Sequence, residues 1–175
     1  RQRWGTVSAV IHGAGVIADK LIADKTEDQV AWVLQTKVDG LRALLGATRD
    51  DTLKAVVMFS SVAGRTGNRG QADYAMANEI LNKVALDLCT SHEGCIVRSL
   101  GWGPWAGGMV TPALEARFAA IGVQLIGLDV GARMLVDSLR DGSPEQVEQV
   151  IGGAPGAGAL LDTDAPDTAV YEAWV

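Results

Sequence analysis

The sequence is poor in the residue types that build disulfide frameworks and metal sites. Its 175 residues include only 2 cysteines and 2 histidines. Two cysteines do not make a disulfide framework, which favours a reducing compartment such as the cytoplasm. So few histidines and cysteines also disfavour a metal site built from nitrogen and sulfur ligands, so we expect no metal.

Basic charge and long apolar runs are also scarce. The chain has 15 Lys and Arg residues against 21 Asp and Glu residues, for a formal net charge of −6. A nucleic-acid surface needs a basic stripe, so we expect no nucleic-acid partner. No apolar run reaches the roughly 18–20 residues that a membrane helix needs, and we recognise no signal peptide. We therefore expect no membrane partner.

What the chain does have is glycine, at 21 residues, within an otherwise ordinary globular composition. The length fits a single domain. The glycines follow apolar runs, where they favour tight turns and close approach of the backbone to a ligand. They cluster at Gly13 and Gly15, within 64–70, within 101–108, and at Gly152 and Gly153.

Four short apolar runs predict buried strands. They are rich in β-branched residues and bounded by turn residues. Long helical patterns separate the first three, which predicts an α/β fold with a parallel sheet covered on both faces. The runs are residues 7–15, 54–61, 95–101 and 146–151.

Two long helices are predicted between these strands. The first covers about residues 27–45, with Thr26 and Gln29 as a capping box. Its apolar stripe contains Lys37 at its centre. The stripe consists of Val30, Val33, Leu34, Leu41, Leu44 and Leu45. The second helix covers about residues 72–91. Its stripe consists of Tyr74, Ala77, Leu81, Ala85 and Leu88, with Asn78 on the same face.

Shorter helices are predicted after the third strand. Thr111 can cap a helix that starts at Pro112 and presents Leu114, Phe118 and Ile121 as an apolar face. A further helix is predicted over residues 131–140. Cys89 and Cys95 are most simply explained as packing residues.

The polar residues on the long helices have two explanations each. Lys37 either has a buried task or extends its ammonium to solvent along an apolar stem. Asn78 is either functional or a satisfied core amide. Ser61 at a strand end and Tyr74 at a helix start are both common for structural reasons.

Taken together, these residues resemble the active-site segment of the short-chain dehydrogenase/reductase superfamily. The resemblance lies in Phe59–Gly64 and Gly67–Asn78, where Ser61 stands thirteen residues before Tyr74. Most members carry lysine four residues after the tyrosine. This chain has Asn78 there and Lys37 within Thr36–Gly40. That exchange is typical of the ketoreductase domains of polyketide and polyunsaturated fatty acid synthases.

Two glycine-rich segments extend the resemblance. His12–Gly15 is similar to the family's motif after its fourth strand, and Gly101–Trp105 is similar to the loop beside the nicotinamide. Trp102 and Trp105 are therefore either packing residues or part of the nicotinamide pocket. The cofactor-binding residues that the resemblance implies are Gly13, Ala14, Gly15, Lys37, Tyr74, Gly103, Pro104 and Trp105.

The resemblance covers only the C-terminal half of a ketoreductase domain. No Gly-x-Gly-x-x-Gly turn, which would receive the pyrophosphate, precedes Val7. We therefore expect an incomplete Rossmann-like, doubly wound parallel sheet whose N-terminal strands are missing. Residues 1–153 would form this part of the domain, and residues 154–175 a linker toward a following domain.

The resemblance implies NADPH-dependent reduction of a carrier-bound β-ketoacyl thioester. Tyr74 would be the general acid, and Lys37 would lower its pKa. Ser61 would hydrogen-bond the carbonyl oxygen, and Asn78 would support the proton relay. The partners would be an acyl carrier protein domain and other domains of the synthase. Because Lys25 has no role in this scheme, we expect Lys25→Ala to keep activity.

Two rival functions remain. An epimerase or dehydratase of the extended reductase families would usually keep lysine four residues after the tyrosine. A non-catalytic structural subdomain of a synthase would typically lack the active-site residues. Ser61, Tyr74, Lys37 and Asn78 are all present, which favours the reductase. The segments around His12 and Lys37 resemble iterative synthases of the polyunsaturated fatty acid and enediyne types more than the modular macrolide synthases.

Stereochemical control is predicted at Asp19. Ketoreductases that form D-configured alcohols have a Leu-Asp-Asp-like segment shortly after the His-Gly-Ala-Gly motif, and here Ile17–Asp19 keeps its final aspartate. The contrasting group has tryptophan eight residues before the tyrosine, where this chain has Thr66. The alternative is that Asp19 is an ordinary loop carboxylate.

Overall fold

The computed structural model describes Arg3, Gly5, residues 6–140, Ser143 and residues 145–152. The predicted linker at 154–175 lies outside the described residues, as does Gly153. The domain boundary between 153 and 154 therefore stays a prediction.

The described residues form a four-stranded, all-parallel sheet. Its strands are β1 (Ala9–His12), β2 (Ala55–Ser61), β3 (Ile96–Trp102) and β4 (Glu148–Ile151). They lie side by side in chain order, with Ala9 opposite Ala55 and Ala55 opposite Ile96. The parallel α/β prediction is confirmed. The first strand ends at His12, so the glycines that follow belong to a loop.

Helices cover both faces of the sheet. They are α1 (Glu27–Leu34), α2 (Gly40–Ala47), α3 (Val62–Thr66), α4 (Ala72–Ser91), α5 (Pro112–Ala120) and α6 (Leu128–Arg140). Alternate residues of β2 point to opposite faces, as the pleat requires. Val56 and Met58 pack in one apolar cluster, with Leu81 of α4. Val57 packs in the other, with Trp102 and Ile126.

The predicted first long helix is interrupted at its centre. The capping box of Thr26 and Gln29 is present at the start of α1. A π-helical turn at Gln35–Asp39 then joins α1 to α2, where Gly40 N–H donates to the Gln35 carbonyl. Such turns often occur at functional sites. The predicted stripe is wrong at Leu44, which is 39% exposed.

The second long helix, α4, matches its prediction closely. It begins at Ala72, ends at Ser91 and buries Ala77, Leu81, Ala85 and Leu88. Cys95 is buried in the same cluster, and Cys89 packs against it, which confirms that both cysteines are packing residues.

The last helices are fixed by caps and by one buried arginine. Thr111 accepts a hydrogen bond from the Leu114 N–H, as predicted. Phe118 is buried, but Ile121 is 51% exposed, so it does not belong to the predicted apolar face. Arg98 of β3 is fully buried and donates to the carbonyls of Ser138 and Ser143. It thereby ties the end of α6 to the sheet.

Candidate functional site

The predicted site residues lie around one edge of the sheet. The carboxyl ends of parallel strands share an edge, which is where α/β proteins bind their ligands. Gly13 follows β1, Ser61 ends β2 and Gly103 follows β3. Lys37 and Tyr74 reach this edge from the π-helical turn and from the first turn of α4.

Lys37 is buried and points into the protein. It is only 3% exposed, so the alternative in which its ammonium reaches solvent is wrong. Its Nζ donates to the Phe59 carbonyl at 2.9 Å. The His12 Nε2 lies 2.8 Å from the Lys37 carbonyl oxygen, and this contact links the end of β1 to the π-helical turn. Burial lowers the pKa of Lys37 to about 8, because desolvation penalises the ammonium.

Tyr74 is the residue on which the polar side chains converge. The Lys37 Nζ lies 5.6 Å from the centre of its ring. Hydrogen bonds with the side chains of Ser61 and Asn78 act to lower the pKa of the Tyr74 hydroxyl, but burial outweighs them and raises it. The predicted direction is therefore wrong for this structure. The reason is that the low-polarity surroundings penalise the phenolate more than its neighbours stabilise it.

Asn78 is fully buried and only partly satisfied. Its side-chain Nδ2 donates to the Tyr74 backbone carbonyl at 2.7 Å. Its backbone carbonyl accepts from the Ser60 hydroxyl at 3.1 Å. Its Oδ1 has no hydrogen-bond partner among the described residues. An unsatisfied buried amide oxygen is costly, which speaks against a purely structural core amide.

Ser61 caps α3 and keeps its hydroxyl proton available. Its Oγ accepts the Ala63 N–H at 3.2 Å. A hydroxyl can accept and donate at the same time, so the Ser61 O–H can still donate to an oxygen beside Tyr74.

The loop after β1 contains glycines, which let its backbone come close to the Lys37 side chain. A Cβ at Gly15 would lie 3.1 Å from the Lys37 Cε, and one at Gly13 would lie 3.8 Å from the Phe59 ring. Gly13 and Ala14 are exposed. Exposed backbone beside a lysine ammonium suits the ribose hydroxyls of a nucleotide, so these residues fit a nucleotide cofactor.

The segment after β3 has a packing role that its sequence does not disclose. A Cβ at Gly103 would lie 2.9 Å from the Gly152 carbonyl oxygen, so chain packing alone requires glycine there. Trp102 is a buried strand residue whose ring meets that of Trp105 at 4.7 Å. Pro104, between them, accepts the Ile126 N–H at 2.8 Å through its carbonyl.

Phe59 contacts both Lys37 and the tryptophans that follow β3, and it was not predicted as a site residue. Its carbonyl accepts the Lys37 ammonium. Its ring stacks on Trp105 at a centroid distance of 6.4 Å and lies 5.4 Å from that of Trp102. The sequence feature that could have identified it is its position near the end of an apolar strand, directly before Ser60 and Ser61.

Asp19 is held against the start of α4. Its Oδ2 accepts from the Gln71 Nε2 at 2.7 Å, while its Oδ1 has no partner among the described residues. Burial raises the pKa of Asp19 to about 6, and the nearby charge of Asp73 adds to this shift. The buried, unpaired Oδ1 favours a functional carboxylate over an ordinary loop carboxylate, and the stereochemical role of Asp19 stays a prediction. Sequence reasoning missed Gln71.

Within the described residues, no His, Cys, Asp and Glu side chains converge as a metal site would require. None of the described helices combines the length and apolar character needed to cross a membrane.

Comparison with known proteins agrees with this geometry. Residues 1–107 match the KR domain family. One of the polyunsaturated fatty acid synthase subunits of Thraustochytrium sp. is 46% identical over 146 residues, which are 83% of this chain and 5% of that protein. Mycoketide-CoA synthase of Mycobacterium tuberculosis is 42% identical over 123 residues, or 67% of this chain and 3% of that protein.

Solved structures give the same result. An A1-type ketoreductase superposes with a TM-score of 0.76 at 29% identity, over 95% of this chain and 35% of its own. A ketoreductase domain from the bacillaene assembly line superposes with a TM-score of 0.74 at 32% identity, over 86% of this chain and 37% of its own. The chain therefore spans about a third of these ketoreductases and 5% or less of the two synthases. It belongs to the KR domain family of polyketide and polyunsaturated fatty acid synthases.

Proposed function

We propose that this chain carries the carbonyl-reducing site of a β-ketoacyl reductase. The reaction is the NADPH-dependent reduction of a β-ketoacyl thioester, bound to an acyl carrier protein, to the 3-hydroxyacyl thioester. The setting is an iterative synthase of the polyketide or polyunsaturated fatty acid type, to which the 46% identity with a polyunsaturated fatty acid synthase lends support.

The observation that carries this proposal is the convergence of three polar side chains, those of Ser61, Asn78 and Lys37, on Tyr74. The side chains of Ser61 and Asn78 lie close enough to Tyr74 to act to lower its pKa, and the Lys37 ammonium lies 5.6 Å from the centre of its ring. A structural subdomain would need neither a buried lysine nor an unsatisfied asparagine, since both cost free energy. The geometry thus supports the catalytic function over the non-catalytic alternative.

The cofactor would lie along the loop after β1. Gly13, Ala14 and Gly15 would offer peptide groups to it, and Lys37 would donate to its ribose. Gly103, Pro104 and Trp105 would border the nicotinamide, with Trp105 held in place by Phe59. NADPH supplies the hydride when it is bound.

The protein's own residues manage the proton and the developing negative charge. Ser61 donates to the ketone oxygen, and this hydrogen bond strengthens as the oxygen gains charge. Tyr74 gives its hydroxyl proton to the same oxygen, which completes the alcohol. The tyrosinate that remains is stabilised by the Lys37 ammonium, and Asn78 supports its reprotonation. The raised pKa of Tyr74 keeps it protonated until this step.

Asp19 is the proposed stereochemical determinant. Its carboxylate lies close enough to influence the Tyr74 hydroxyl electrostatically and is fixed by Gln71. A fixed group on one side of the tyrosine restricts how a thioester can approach. We assign it the D-configured, (R)-type alcohol.

Reduction by the intact protein tests the proposed function. NADPH oxidation is followed by absorbance with a β-ketoacyl thioester as substrate. Tyr74→Phe should lower the rate by at least about 10²-fold, the scale of a positioned acid. Trp32→Phe is the control, because Trp32 is 53% exposed on α1. Near-normal turnover by Tyr74→Phe would reject this assignment.

A further inference from the structure

Lys25 makes a buried ion pair beside the site. Its Nζ lies 2.8 Å from Asp73 Oδ1, and the two side chains are 2% and 1% exposed. The same Nζ donates to the Ala18 carbonyl at 2.7 Å. The desolvation of a buried ion pair often offsets its attraction, so stability alone is a weak reason for this arrangement.

The two groups that Lys25 holds are each next to a proposed site residue. Asp73 directly precedes Tyr74, and its Oδ1 also accepts the Tyr74 N–H at 2.9 Å. Ala18 directly precedes Asp19. One ammonium therefore bonds both to the loop that carries Asp19 and to the helical turn that carries Tyr74.

Two further links run parallel to this ion pair. Gln71 donates to Asp19 at 2.7 Å, and the Lys20 N–H donates to the Gly70 carbonyl at 2.9 Å. Both again join the loop to the segment at the start of α4. Lys25 differs from them because one buried ammonium bonds to both sides at once, to Asp73 and to the Ala18 carbonyl.

We propose that Lys25 and Asp73 form a clasp that positions the loop 13–25 against the start of α4, and that this clasp sets the stereochemical outcome of ketone reduction. Both are positioning residues, because they act through Asp19 and Tyr74. The proposal rests on the proposed function and extends it to residues outside the catalytic group.

Two variants separate positioning from folding. Lys25→Met removes the ammonium and leaves the Asp73 carboxylate buried without its partner, which is strongly destabilising by itself. The paired variant Lys25→Met/Asp73→Asn removes both charges at nearly constant volume. Its asparagine oxygen can still accept the Tyr74 N–H, so we expect it to fold. Lys20→Met is the control, since Lys20 is an exposed lysine of the same loop.

The measurement is the ratio of the two alcohol configurations formed by the intact protein, read by chiral chromatography. The paired variant should lower the ratio of major to minor alcohol by about tenfold, the scale of one lost charged hydrogen bond. Its KM for the thioester should change less than the ratio does. Lys20→Met should keep the wild-type ratio. A wild-type ratio in the paired variant overturns the proposal.

Hydrogen exchange at the Lys20 amide gives a second reading that does not need turnover. The amide should exchange at least about tenfold faster in the paired variant, because the loop opens more often once the clasp is gone. If the wild-type protein reduces no ketone, the proposed function fails. The exchange rate of the Lys20 amide then decides by itself whether the clasp exists. Unchanged exchange would then overturn it.

Discussion

The Lys37 ammonium nitrogen stands 5.6 Å from the centre of the Tyr74 ring, although the two residues belong to different helices. Lys37 lies in the π-helical turn at Gln35–Asp39 and is buried there, on the face of the helix that packs against the protein. The lysine has no carboxylate partner among the ion pairs of the described residues. Its charge is therefore available to Tyr74.

Replacing Lys37 should remove activity and at the same time stabilise the fold. Burial lowers the pKa of Lys37 to about 8, so at pH 7 the folded state holds a charge that it disfavours. Stability should rise with pH between about 8 and the ordinary lysine value near 10.4, because there the unfolded chain binds more protons. Lys37→Met should raise the free energy of unfolding at pH 7 by about 1–2 kcal/mol, after loss of the bond to Phe59.

Urea unfolding and NADPH oxidation measure these two effects of Lys37→Met. Lys54→Met is the matched control, because Lys54 is exposed, and it should change neither quantity. A destabilised Lys37→Met protein that still reduces ketones would contradict the assigned role.

Two helical glycines should respond in opposite ways to alanine. A Cβ at Gly131 of α6 would lie 2.2–2.7 Å from three atoms of the Trp105 ring, whereas one at Gly46 of α2 has open space. Gly131→Ala should displace Trp105, raise the KM for NADPH several-fold and cost about 1–3 kcal/mol of stability. Gly46→Ala should stabilise by up to about 1 kcal/mol.

Steady-state kinetics and thermal unfolding of the two alanine variants check this pair. An unchanged KM for NADPH in Gly131→Ala would show that Trp105 does not border the cofactor.

Asp19 should make the fold less stable as the pH rises through about 6. Its folded pKa is raised to about 6 from the ordinary value of 3.8. Its protonated form therefore favours folding at low pH, and this contribution is lost as the pH rises through the folded pKa. Asp19→Asn should stabilise the protein at pH 7 and have little effect at pH 4. Denaturant unfolding at both pH values measures the difference, and an equal effect at both would refute the raised pKa.

The configuration of the product tests the role of Asp19 directly. The intact protein should form predominantly the D-configured, (R)-type 3-hydroxyacyl thioester, and Asp19→Ala should erode that preference. Chiral chromatography of the thioester product distinguishes the alcohols. A predominantly L-configured product from the wild-type protein would mean that Asp19 does not have this role.

The sequence predicted the elements that depend on local chemistry. Strand and helix positions followed from apolar periodicity, and the capping box at Thr26 and Gln29 followed from its spacing. Lys37 stood out because a charge in an apolar stripe is unusual on a helix of any kind. These features need only neighbouring residues, so they are visible without tertiary structure.

The sequence did not predict features that depend on packing between distant segments. Lys25 was expected to have no role, so that Lys25→Ala would keep activity, yet its side chain is buried in an ion pair with Asp73. Phe59 looked like one more apolar strand residue, yet it joins Lys37 to Trp105. The pKa of Tyr74 was predicted from its charged neighbour alone, although the depth of burial decides its direction.

The most direct test of the central claim is to follow a deuterium label from cofactor to product. The intact protein is given a β-ketoacyl thioester and NADPH that carries deuterium at both C4 positions, and the product is analysed by mass spectrometry. Ser61, Tyr74, Lys37 and Asn78 acting as a reductase site predict one deuterium at C3 of the 3-hydroxyacyl thioester, formed at least about 10²-fold more slowly by Tyr74→Phe. An unlabelled product, or a labelled one formed at the same rate by Tyr74→Phe, would contradict it.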